Sequence, residues 1–217
     1  AVQRSQMTLP AAAAEVLAFC LRGDGADPAA EVRRWFRVEP DFDALLAERF
    51  GALVKRALRG DLDDWQVASA HSALALVILC DQVPRNIFRG QARAFAGDAC
   101  ARATALASID RGWDRDFEPL ERFFLYIPFE HAEELALQER YVALREAEHA
   151  AAPRELRSFT GEALVAARDH CDVIRRFGRF PHRNRALGRR STPAELAWLE
   201  AHSHGWGQGS PLPGAER

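Results

Sequence analysis

Lysine is nearly missing from this chain: Lys55 is the only one, and the other basic residues are all arginine. Anion contacts made here are therefore guanidinium forks, which grip a carboxylate or phosphate through two parallel N–H···O bonds. Charge of one sign is lacking too. Basic residues number 29 and acidic ones 31, a net charge of -2 that excludes general binding to nucleic acid or another polyanion. The longest strongly apolar run, 72–80, is far too short to span a bilayer, so no membrane role is expected. Cys20, Cys80, Cys100 and Cys171 lie far apart among apolar neighbours, without C-x-x-C spacing, which argues against a zinc site or a disulfide framework. Period-two alternation is absent, and with it the case for strands. Glycine-rich phosphate loops, G-x-S-x-G elbows, H-E-x-x-H pairs and kinase motifs are missing as well, so no motif assigns a catalytic class and no metal or cofactor is expected.

What is present is an ordinary globular composition, 48% hydrophobic and 28% charged over 217 residues, enough to bury a core without a staple. The first 20 residues superficially resemble a signal peptide. Glu15 interrupts their apolar stretch, and Pro10 after Thr8 reads as a capped helix start, so a cytoplasmic protein is expected. Apolar residues recur at helical spacing throughout, which predicts an all-α fold. The pattern gives nine helices: 9–22, ended by Gly23-Asp24-Gly25, then 28–37, 41–59, 65–82, 92–111, 119–128, 130–147, 154–176 and a last one opening at Ser191-Thr192-Pro193. The segment 72–80 is apolar nearly all round, as a helix at the centre of an assembly must be. Short connections imply one domain over 1–201, followed by a Gly/Pro-rich tail from 202 to 217.

Two stretches organise the rest. Residues 76–90 read LVILCDQVPRNIFRG, and 179–188 read RFPHRNRALG; each sets an Arg-Asn pair just after a proline, with a glycine to follow. With YIPFEHAEELALQERYVAL at 126–144 between them, these motifs resemble a bacterial family of proteins of unknown function, assigned to the tetratricopeptide-like all-helical superfamily. The resemblance covers nearly the whole chain and implies an irregular, right-handed stack of antiparallel helices. It implies no activity. The chain departs from the family pattern at Phe19-Cys20-Leu21-Arg22, where an aromatic-glycine turn is expected.

Candidate chemistry falls into three groups. Arg85, Asn86, Arg89, Arg179, His182, Arg183 and Asn184 combine forked cations with amides, a set suited to an oxyanion. If each Arg-Asn pair opens a helical turn, free backbone N–H groups add to that site. The competing account is structural, since cations cap helix C-termini and Asn after proline is ordinary turn chemistry. The second group is Glu130, His131, Glu134 and Gln138: on one helix His131, Glu134 and Gln138 would share a face, with Glu130 one turn before Glu134, and His131 could serve as a general base. One H-x-x-E without a second copy makes a poor dimetal site. Asp81, directly after a buried run, either pairs with an arginine or does chemistry.

Three readings follow. A groove lined by the Arg/Asn/His set, with Gln138, would hold the anionic group of a small molecule or the C-terminus of a peptide. An enzyme of hydrolase or lyase type would use His131 with Glu130, Glu134 or Asp81 as acid and base. Alternatively the whole network locks helix register. Oligomeric state is not specified.

Overall fold

The structure, a computed structural model, describes residues 9–21 and 28–202, with side chains from residue 32 in the second stretch. The Thr8 cap, the 23–25 stop and the tail beyond 202 lie outside the described residues. Within them the chain forms α1 (Ala11–Cys20), α2 (Pro28–Phe36), α3 (Pro40–Leu58), α4 (Trp65–Ala68), α5 (Ala70–Ile87), α6 (Asp98–Asp110), α7 (Pro119–Glu130), α8 (Leu135–Ala151), α9 (Arg157–Phe177) and α10 (Pro193–Ala201). Four short 3-10 turns complete the all-helical set.

The expected helix 65–82 is two. Ser69 is extended, with φ -164°, and its Oγ accepts from the Ser72 N–H at 3.1 Å while Ser72 Oγ accepts from the Ser69 N–H at 2.9 Å. This reciprocal cap starts a new helix, so ten form where hydrophobic periodicity alone reads nine. α5 is the hub of the fold and packs against α1, α3, α4, α6 and α7. Leu74, Leu76, Val77, Ile78 and Leu79 are all 0% exposed, together on the order of 10 kcal/mol of transfer free energy. A regular solenoid repeat touches only its neighbours; α5 also packs against α1 and α7, which lie well away from it in sequence.

Both prolines expected to end helices lie inside them: Pro84 in α5 and Pro128 in α7. Each removes one i→i−4 bond, at about 3 kcal/mol, a cost that the burial of these helices outweighs. At Pro84 the freed acceptor is the Cys80 carbonyl, and Gly97 backs onto it so closely that a Cβ there would lie 2.2 Å from the oxygen. The approach also places the start of α6. The sequence pattern predicts a helix from 92; the chain makes a 3-10 turn over Ala92–Phe95, then Gly97, and only then α6.

Further along, α7, α8 and α9 pack in succession. α9 buries Phe159, Ala163, Ala167 and Ile174 and stops at Gly178, whose φ of +68° only glycine adopts readily. Thr192 and Glu195 cap α10 as their spacing predicts. One apolar cluster spans α1 to α9, and a smaller one joins Val173, Ile174, Phe180 and Trp198. Among the described residues no helix is long and apolar enough to cross a membrane.

Candidate functional site

Three helical stripes enclose a pocket of about 420 Å³. α5 contributes Gln82, Arg85 and Asn86, with Arg89 just past its end; α7 contributes Phe123 and Glu130, with His131 capping it; α9 contributes Phe159, Ala163, Ala166 and His170. Val32, Arg33, Trp35 and Phe36 of α2, Glu162 of α9, and Phe95, His182 and Arg183 complete the wall. The α9 residues recur at three- and four-residue intervals, the face of a single helix. Two contacts fix the pocket's axis. The Phe123 and Phe159 rings lie 5.7 Å apart at one end, and Glu130 Oε1 lies 3.6 Å from His170 Nε2 at the other. Phe159 and His170 are eleven residues apart, roughly 16 Å along a helix. The pocket is thus a slot with an aromatic end, formed by Trp35, Phe36, Phe123 and Phe159, and a charged end, formed by Arg85, Glu130, His131, His170, His182 and Arg183.

Behind the charged end lies Asp81, fully buried. It accepts from His131 Nδ1 at 2.8 and 2.9 Å, from Gln82 Nε2, and pairs with Arg85 at 3.1 Å. Burial alone would raise the Asp81 carboxyl, but Arg85 and His131 outweigh it and hold it below the usual carboxylate range. Because a carboxylate only accepts, Nδ1 of His131 carries the proton and Nε2 is the other ring nitrogen, without a protein partner among the described residues. Burial, then the Arg85 charge, pushes the pKa of His131 below the ordinary imidazole value. The ring is neutral at pH 7, and its Nε2 lone pair is a base held in place by Asp81.

Arg183 stands beside it. Its guanidinium lies over the Phe95 and Phe180 rings at 4.8 and 4.5 Å, and one N–H donates to the His131 carbonyl at 2.9 Å. Asp98 sits 3.5 Å away, shared with Arg85 at 2.9 Å, and the Nε–H has no partner. Burial first and Arg85 second pull Arg183 down to about 10 against the incomplete counterweight of Asp98 and Glu133. Asp98 is the one carboxylate in ion-pair range of Arg183 among the described residues, and Arg85 shares it. Glu130 is 6% exposed, and its only ion-pair partner among the described residues is His170. At the aromatic end Trp35 Nε1 is a second buried donor without a partner.

The structure thus brings together Asp81, Arg85, Asn86, Arg89, Glu130, His131, His182 and Arg183. It places the other candidates elsewhere. Glu134 is exposed, precedes α8 and pairs with Arg102 at 3.6 Å; it shares no helix face with His131, because α7 continues through Pro128 to Glu130 and a turn intervenes. Gln138 caps α7, donating to the Glu130 and Ala132 carbonyls at 2.6 and 2.8 Å. Arg179 forks onto Glu195 at 2.6 and 2.9 Å, and Asn184 bridges Ser191 and Arg189. Within the slot, Arg89 forks onto Asp43, and Asn86 donates to Asp43 and to the Trp35 carbonyl. Backbone N–H groups do not add to an anion site, since Arg85-Asn86 lies in the last turn of α5 rather than the first. Asp98, His170 and Trp35 were not singled out by sequence. Gly97-Asp98 before an alanine-rich run was the available signal, a helix start with an acid in its first turn. No group of three ligating side chains close enough to hold a metal ion occurs among the described residues.

The model of a bacterial family of unknown function, DUF924, matches residues 16–203. The chain belongs to DUF924. A solved structure of a protein of unknown function from Agrobacterium tumefaciens is similar to it, at 38% identity and a TM-score of 0.72, over 87% of this chain and 97% of that one. No functionally curated protein matches. The slot of this DUF924 member therefore has to be interpreted from its own chemistry.

Proposed function

We propose that this DUF924 protein binds a small organic acid in the slot, its carboxylate against Arg183 and Arg85 and its apolar body between the α7 and α9 aromatics. The observation that carries this reading is Arg183: a buried guanidinium with an unsatisfied Nε–H and a depressed pKa. An unmade hydrogen bond of a buried donor costs about 1–3 kcal/mol, and an incoming carboxylate would remove that cost. A volume of about 420 Å³ suits a small molecule. The tetratricopeptide-like label belongs to the same proposal, supported by the succession of α7, α8 and α9, each packed on the next.

A thermal-shift panel of aryl and alkyl carboxylates tests it, beside phosphate and short peptides. A ligand at a hundred times its dissociation constant adds roughly 2.7 kcal/mol, about 5–10 °C here. The expected shift appears with carboxylates that carry an apolar body, and is lost in Arg183→Ala and weakened in Arg183→Lys. A shift that survives in Arg183→Ala, or none in the folded wild type, rejects the reading.

The Asp81–His131 pair favours a second reading, an enzyme in which Nε2 takes a proton from the bound acid or from a water beside it. Product formation by NMR from the acids that bind, abolished in His131→Gln with binding retained, supports it. Unchanged acids reject it.

A further inference from the structure

Cys80 and Cys100 take no part in lining the slot, yet the fold brings their sulfurs together. We propose that they form a dithiol that a hydroperoxide oxidises to a disulfide, joining α5 to α6 directly behind the charged end. Cys80 lies in α5 and is fully buried; Cys100 is the third residue of α6 and is half-buried. The two backbones meet at Gly97, where an added Cβ would lie 2.9 Å from the Cys80 Cα. Cys100 follows three residues later, one helical turn on and on the same side of α6, and the Cys80 thiol donates a hydrogen bond to its sulfur. That hydrogen bond holds Cys100 at about 7 against the effect of burial, while Cys80 is pushed up. One sulfur is thus largely thiolate at pH 7.5 and partly open to solvent. The other keeps its proton and touches the first, as a resolving thiol must. The remaining cysteines are placed differently: Cys171 accepts from Arg175 at 3.4 Å, and Cys20 is buried in the apolar core.

The reaction balances without a further reagent. The Cys100 thiolate attacks one peroxide oxygen; an S–O bond forms, the O–O bond breaks, and the departing hydroxide takes up a proton as water. The Cys80 sulfur then attacks the Cys100 sulfenic acid, forming the S–S bond and breaking S–O, and its own proton leaves with the hydroxide as a second water. Two thiols lose two electrons and one hydrogen peroxide is reduced to two waters. The bridge would tie together the segments that carry the counterions of Arg85, since Asp81 follows Cys80, Asp98 precedes Cys100 by two residues, and they pair with Arg85 at 3.1 and 2.9 Å.

The test treats the reduced, folded full chain with an equimolar amount of hydrogen peroxide at pH 7.5, blocks free thiols with iodoacetamide, and maps tryptic peptides by mass spectrometry without reduction. Each cysteine falls in its own peptide, Cys80 in 60–85 and Cys100 in 94–102. The expected product is 60–85 linked to 94–102, lost on treatment with dithiothreitol, with Cys20 and Cys171 still alkylated. In Cys80→Ala no resolving thiol remains, and Cys100 should accumulate as sulfenic acid, trapped by dimedone. If Cys80→Ala fails to fold, the wild-type map decides alone. Cys100 found as sulfinic acid or bridged to a second copy, with Cys80 alkylated, overturns the inference. So does oxidation of Cys20 or Cys171 ahead of Cys100, or a 60–85 to 94–102 link that forms only in guanidinium.

Discussion

Gly97 offers the sharpest check on the packing that sets the charged end. A Cβ added there would lie 2.2 Å from the Cys80 carbonyl oxygen and 2.9 Å from its carbon, where ordinary contacts begin at 3.4 Å. The obstacle is helix backbone, not the end of a flexible side chain, so Gly97→Ala must push α6 away from α5 by about 1 Å. Overpacking of this kind costs typically 1–3 kcal/mol, and the entropic benefit of replacing glycine returns about 0.4–1 kcal/mol. A net loss of about 1–2 kcal/mol lowers the melting temperature by roughly 2–8 °C for a chain of this size. The displacement also reaches the slot, because Asp98 follows Gly97 and holds Arg85 at 2.9 Å. Gly51→Ala is the control: Gly51 lies within α3 with nothing within 4 Å of its added Cβ, and should gain about 0.5–1 kcal/mol. Circular-dichroism melts and guanidinium unfolding measure both. Equal stability of Gly97→Ala and wild type, or equal damage from the two substitutions, refutes the close approach.

Asp81→Asn removes a buried counterion of Arg85 and His131; with Asp98 still in place the loss should be near the low end of about 3–5 kcal/mol, read as a drop of roughly 6–12 °C. His131 and His182 are both held below the ordinary imidazole pKa, so the unfolded chain takes up protons near pH 6.5 before the folded one does. Stability is then full above pH 7 and falls below about 6.5, at up to about 2.7 kcal/mol per pH unit for two such groups; a melting temperature flat from pH 8 to 5 contradicts this. The neighbouring Cys80 thiol lowers Cys100 to about 7 while Cys80 itself is raised, so iodoacetamide at pH 7.5 should label Cys100 ahead of the other three cysteines, checked by peptide mass spectrometry.

Much of the fold was legible because most helices carry their own punctuation. Thr192-Pro193 with Glu195, and the Phe177-Gly178 stop, fall where cap chemistry puts them. The errors share one cause. Pro84 and Pro128 look locally like breakers, yet helices buried on nearly every side tolerate a missing N–H when packing outweighs it, and no local pattern carries that information. The same error hid the α5 stripe of Gln82, Arg85, Asn86 and Arg89, which needs the helix to run through Pro84. It also put His131 and Glu134 on one helix when a turn separates them. Asp81, His131 and Arg183 come together across 102 residues of sequence, a proximity that only tertiary packing creates.

Whether the polar network merely locks helix register turns on how completely it satisfies itself. Three arginines that serve the fold fork onto carboxylates with two oxygens each, Arg89 onto Asp43, Arg179 onto Glu195 and Arg189 onto Glu133, whereas buried Arg145 pairs with Glu148 and leaves its Nε–H unpaired outside the slot. A network selected only for stability would treat Arg183 and Glu130 the same way, since each uncompensated buried group detracts from a net stability of order 10 kcal/mol. Instead Arg183 keeps an unpaired Nε–H, Glu130 has a histidine where a guanidinium would serve better, and both face the same slot. Replacing Glu130 with a neutral isostere should therefore stabilise the free protein, or leave it unchanged, whereas the same change at Glu195 should destabilise it. Thermal melts of Glu130→Gln and Glu195→Gln separate a strained binding site from a register lock: a loss at Glu130 as large as that at Glu195 would make the slot part of the scaffold.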